Sequence, residues 1–160
     1  MSLRHLVLVL VVALLMPACI DDFEQGAVTV TDAGVLRVLH HPCDEDNVVL
    51  SVRLLVPVGN VIGDGDEIVL WKVVAVRTST SSLVETFEPG NIPVGYRETV
   101  PLDMPEGGDE VVIDLDIRHG GWGDLGFDWG SLSPGTLLTD HGPKSRSQWL
   151  DYAIEGCGGT

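Results

Sequence analysis

Val48-Val49-Leu50-Ser51-Val52-Arg53-Leu54-Leu55-Val56 and Val111-Val112-Ile113-Asp114-Leu115-Asp116-Ile117-Arg118 are the two stretches that decide the fold. Successive side chains on a strand point to opposite faces, so a period of two separates a buried face from a wet one. In the first stretch Val48, Leu50, Val52, Leu54 and Val56 share one face, with Ser51 and Arg53 on the other. In the second, Val111, Ile113, Leu115 and Ile117 face inward, while Asp114, Asp116 and Arg118 face water. One-sided strands of this kind belong to antiparallel sheets with one packed face. Between them, Ile68 to Arg77 is apolar on nearly both faces, which marks a central strand.

The same reading extends along the chain. Ala27 to Thr31 and Val35 to His40 are short strands, divided by Asp32-Ala33-Gly34 and ended by His41-Pro42. Leu83 to Phe87 is another, followed by the turn Glu88-Pro89-Gly90-Asn91. Pro93 lies inside the run Ile92 to Leu102, so that strand lies at a sheet edge or begins after the proline. After a Gly/Trp/Asp-rich stretch, Gly135 to Thr139 and Gln148 to Glu155 supply the last two strands. No segment of helical length carries a convincing period of 3.6. Short strands punctuated by turns predict a single-domain, all-β antiparallel sandwich, immunoglobulin-like or transthyretin-like. The Cys…Trp…Cys spacing of true immunoglobulin domains is missing.

The N-terminus has a different character. Arg4 and His5 precede eleven apolar residues, Leu6 to Met16, and Pro17-Ala18-Cys19 follow. A membrane-spanning helix needs about 20 apolar residues, so this run suits the core of an export signal instead. With Ala18 at the cleavage position and a cysteine next, the segment resembles a bacterial lipoprotein signal, although Met16 and Pro17 depart from that family's usual residues. The resemblance implies that the Cys19 thiol is lipidated and becomes the first mature residue. An ordinary secretory signal cleaved after Ala18 is the alternative. The layout as a whole resembles the small lipoproteins of high-GC Gram-positive bacteria: a signal peptide over 1–18, a lipidated tether over 19–26 and a β-rich domain over 27–160. The Leu70-Trp71-Lys72 strand and the Ile92-Pro93-Val94-Gly95-Tyr96 turn add to it. No catalytic residues come with the resemblance.

Cysteine number bears on the same point. The chain has Cys19, Cys43 and Cys157, an odd set for an exported protein. Lipidation of Cys19 leaves Cys43 and Cys157 to pair, whereas a Cys19 bridge to either leaves a thiol over. Removing residues 1–18 leaves 142 residues, enough for one domain with a real core. It also removes one basic side chain, Arg4, so 8 basic stand against 24 acidic and the formal charge goes from −15 to −16. Such a surface repels nucleic acid and anionic lipid, which excludes nucleic acid as a partner.

Chemistry-bearing groups are few. His40-His41-Pro42-Cys43 combines imidazole and thiol, which suit Zn or Cu. Neighbouring strand residues point apart, however, and a disulfide would remove Cys43 as a ligand, so the expectation is no metal. The stretch His119 to Trp129 resembles a single calcium-binding nonapeptide repeat with its aspartate one place early, and such sites need stacked copies. Trp122, Phe127 and Trp129 within it offer a platform for a sugar or a protein, or else cap the core. Asp64-Gly65-Asp66-Glu67 reads as an acidic turn. No nucleophile elbow, phosphate loop or zinc helix occurs, and no cofactor is implied. The expectation is a lipid-anchored extracytoplasmic domain, binding an envelope protein or glycan or serving a structural role. The alternative is a small envelope hydrolase or metal-dependent enzyme using His119 or His141 with nearby acids.

Overall fold

The valine-rich strand Val49–Val56 (β3) is the middle strand of its sheet, flanked by Ile68–Ala75 (β4) and Glu110–Ile117 (β7). Tyr96–Val100 (β6) and Gly121–Asp128 (β8) complete the sheet in the order β6-β4-β3-β7-β8. A second sheet runs β10-β9-β1-β2-β5, from Gly26–Val30 (β1), Leu36–His40 (β2), Glu85–Phe87 (β5), Leu137–Thr139 (β9) and Gly142–Lys144 (β10). Every pairing is antiparallel. The structure, a computed structural model, describes residues 25–43, 47–57, 67–76, 85–118 and 121–157. Among these the architecture is an all-β sandwich with one helix, and no helix is long and apolar enough to cross a membrane.

The core lies between the sheets and follows the alternation. Val111, Ile113, Leu115 and Ile117 of β7 all enter it, facing Val28, Leu36, Val38 and Phe87 of the other sheet. Trp71 is fully buried near its centre. The β1–β2 hairpin closes through Gly34, whose φ of 77° favours a residue without Cβ.

The structure differs from the sequence reading in five places, each with a physical reason. The Ile68 to Arg77 strand is not central: β4 stands one place out, and β3 holds the centre. Leu50 is not the inward residue. The β3–β7 register steps from Val49↔Ile117 to Ser51↔Asp116, so Leu50 is the extra residue of a bulge and Val49 enters the core in its place. A second bulge, between Leu54 and Leu55, leaves Leu70 without a register partner on β3, and both Leu70 and Trp71 lie in the core. Asp114 does not face water. It is buried opposite Arg53 and paired with it, while Glu67 lies 3.7 Å from the same guanidinium. Burial pushes the Asp114 carboxyl above the usual carboxylate range, and the Arg53 hydrogen bond and charge pull it partly back.

The Gly/Trp/Asp-rich stretch is β8, paired with β7 residue for residue. Gln148 to Glu155 is not a strand: Arg146–Gly156 is an α-helix (α1). Ser145 caps it by accepting from the Gln148 amide, and the Gln148 side chain accepts from the Ser145 amide in return. Trp149 and Ala153, four apart on one face, pack on Ala27, Leu39 and Leu137 across the outer side of the five-stranded sheet that holds β1. The helix thus adds a third layer on one flank.

Candidate functional site

The end of β2 gathers the residues that the sequence marks. Cys43, just past β2, is bonded to Cys157 at the C-terminal end of α1, with Cα atoms 5.1 Å apart. The bond ties the third layer to the sheet it covers. It also takes Cys43 out of any metal-ligand set.

His40, the last residue of β2, is fully buried. Its register partner is Glu85, at the start of β5, and Nδ1 lies 3.7 Å from Glu85 Oε2. Both Glu85 carboxylate oxygens face the Tyr96 hydroxyl, at 3.0 and 3.2 Å. Tyr96 begins β6 in the opposite sheet, and its ring meets Phe87 edge-on at 4.9 Å between centroids. Histidine and glutamate from one sheet therefore meet a tyrosine from the other, and the hydroxyl joins the two layers at their edge strands. Neither ring nitrogen of His40 makes a hydrogen bond.

Burial, and after it the Glu85 charge, pushes the Tyr96 hydroxyl far above the usual phenol range. In its protonated form the phenol donates to Glu85, and this contact links the two sheets. Sequence reasoning missed it because Glu85 and Tyr96 come from strands with no local sign that they meet. The proton sits on Tyr96 in the folded state, so the raised ionisation adds stability below the unfolded value of about 10 that is lost as pH rises beyond it. Unfolding free energy should fall above about pH 10 more steeply in the native protein than in a Tyr96→Phe variant. Near neutrality that variant should be less stable by about 1.5–3 kcal/mol, the worth of a hydrogen bond to a charged acceptor. Denaturant titrations across pH check both points. Parallel curves would show that Tyr96 does not titrate with folding.

The other sequence-marked residues do not converge. Phe127 lies in the sandwich core, and Trp129, on the 3-10 turn Trp129–Ser131 after β8, is half-buried against that core. The Trp122 side chain, His119 and Asp64 to Asp66 lie outside the described residues. Trp122 holds the register position opposite Asp116, whereas Phe127 stands opposite Val111, so the two occupy positions of opposite parity on β8. His141 sits on the turn between β9 and β10, about half exposed, 4.0 Å from Asp140 and edge-on to Tyr152. No nucleophile–base hydrogen bond accompanies it among the described residues. Nor do any three His, Cys, Asp or Glu side chains among them stand close enough to hold a metal ion.

A groove of about 270 Å³ opens between the β1–β2 hairpin, β9 and the start of α1, with Arg37 and Arg146 on its rim. Arg37 is already engaged by Glu88, and Asp32 lines the same groove, so its charge is balanced. No family model, curated protein or solved structure matches the chain.

Proposed function

We propose that this chain is a lipid-anchored, extracytoplasmic β-sandwich with a binding or structural role in the cell envelope, attached to the membrane through Cys19. The observation that supports the reading most is the Cys43–Cys157 bond. Structural disulfides persist in oxidising compartments, and this one uses both cysteines of the folded part, leaving Cys19 of the three for the lipid. A diacylglycerol supplies two chains, which is what stable anchoring requires. The acidic mature surface would be repelled by anionic headgroups, so lipid and not charge is the means of attachment. The partners that fit this role are an envelope protein or a glycan, with nucleic acid excluded on charge.

Cell fractionation tests the attachment. The native protein is expected in the membrane fraction and resistant to high salt, and a Cys19→Ala variant in the soluble or retained-precursor pool. A Cys19→Ala protein that stayed processed and membrane-bound would overturn the reading.

A further inference from the structure

We propose that the outer edge of β8 is a docking site for an extended, basic polypeptide segment, which adds to the sheet as a further strand. The inference gives the binding role its partner chemistry and rests on that role, though not on the anchor at Cys19.

A sheet edge presents a row of unpaired amides and carbonyls, and proteins blunt such edges with short strands, prolines or bulges. Three of the four edges here are blunted. β5 and β10 are three residues long, and β10 contains Pro143. β6 is five residues long, its register with β4 is broken between Lys72 and Val73, and Pro101 follows it directly. Among the described residues β8 has none of these devices. It is eight residues long, carries no proline or lysine, and pairs with β7 without a bulge from Asp128↔Glu110 to Gly121↔Ile117.

The ladder shows which groups point outward. Trp129 donates its amide to the Asp109 carbonyl at 3.0 Å, directly beyond the Asp128↔Glu110 pair. Hydrogen-bonded and non-bonded pairs alternate in an antiparallel ladder. Phe127, Leu125 and Gly123 therefore bond to β7, while Asp124, Gly126 and Asp128 turn their amides and carbonyls away from it. The Asp128 carbonyl accepts from Ser131, so Asp124 and Gly126 carry the open positions. Both are exposed, and a Cβ built on Gly126 meets nothing within 4 Å.

Charge selects the occupant. Asp124 and Asp128 flank Gly126 on the exposed side of the strand. A second copy would set these acids against their own kind on two strongly acidic chains. A segment with Lys or Arg at alternate positions would pair with them, and its intervening residues would extend the layer of Leu125 and Phe127. About six extended residues, ~20 Å, cover the edge.

The test uses the mature protein in a non-ionic detergent and a blocked peptide of about ten residues alternating lysine and threonine. A glutamate–threonine peptide and a lysine–threonine peptide interrupted by proline serve as controls. Binding is read by fluorescence anisotropy and by amide hydrogen exchange. The lysine–threonine peptide is expected to bind and to slow exchange at Gly126, and the two controls are expected to fail. Gly126→Pro removes an outward donor and no β7–β8 bond, and it should weaken binding roughly tenfold or more. Asp124→Lys, which leaves the backbone intact, should weaken binding of the lysine–threonine peptide severalfold without creating binding of the glutamate peptide, and it decides the matter if Gly126→Pro fails to fold. No binding, equal binding of the proline-interrupted peptide, or protection of Gly126 by self-association would each overturn the proposal. None of these outcomes touches the membrane attachment, which fractionation measures separately.

Discussion

Replacing Trp71 by alanine is expected to lower the free energy of unfolding by about 3–5 kcal/mol, the range for deleting a large buried aromatic ring. The indole is fully buried between the sheets, opposite Leu54 on the central strand. Its Nε1–H donates to Glu98 Oε1 at 2.6 Å, across the β4–β6 pairing. The alanine variant therefore loses packing and leaves Glu98 without its donor at once. Trp71→Phe separates the two effects: it keeps most of the ring and should cost about 1.5–3 kcal/mol for the lost charge-assisted bond. Small domains hold only about 5–15 kcal/mol in total, so the alanine variant should unfold at a markedly lower denaturant concentration. Urea titration with an unchanged slope gives the number. A cost below about 1 kcal/mol would mean that the core is not organised around this ring.

The second large effect belongs to the disulfide. Cys43 and Cys157 are 114 residues apart, so their bond closes nearly all of the folded chain. For a loop of about 100 residues, lost loop-closure entropy in the unfolded state corresponds to about 4.7 kcal/mol, an upper value. A Cys43→Ser, Cys157→Ser double variant should lose about 2–5 kcal/mol. The loss should also show locally, as faster amide exchange in α1, because the helix otherwise packs through Trp149, Leu150 and Ala153 on a small patch of sheet and through Tyr152 against His141 and Lys144. Identical stability with and without reductant would show that the staple adds nothing.

The particular residues explain what could be read from the sequence. β7 was legible because it pairs on both sides and its alternation runs unbroken, so the two-residue period maps straight onto the core. β3 was legible as a strand but not in phase at its start, since a bulge at Leu50 changes parity without leaving a mark in composition. β8 reads as a loop because its glycines remove the side chains that signal a strand, yet its pairing with β7 is complete. The helix was hidden by its small apolar face, Trp149 and Ala153, and the capping box of Ser145 and Gln148 at its start is a finding of the structure. Asp114 shows the converse limit: an acid in an alternating strand is read as wet, and only the opposing Arg53 makes its burial tolerable.

The site was less legible than the fold. The Cys43–Cys157 pairing followed from the number of cysteines together with the expected lipidation of Cys19. The joining of His40, Glu85 and Tyr96 depends on which strands end together, and no local pattern carries that information. The open edge of β8 is likewise a property of sheet order.

Mass spectrometry of the mature N-terminal peptide bears most directly on the place and attachment of this protein. The expected result is a peptide that begins at Cys19 and carries a diacylglyceryl group on the thiol, with Met16 and Pro17 removed with the signal. A peptide beginning at Cys19 with an unmodified thiol, or a chain that retains residues 1–18, would contradict it.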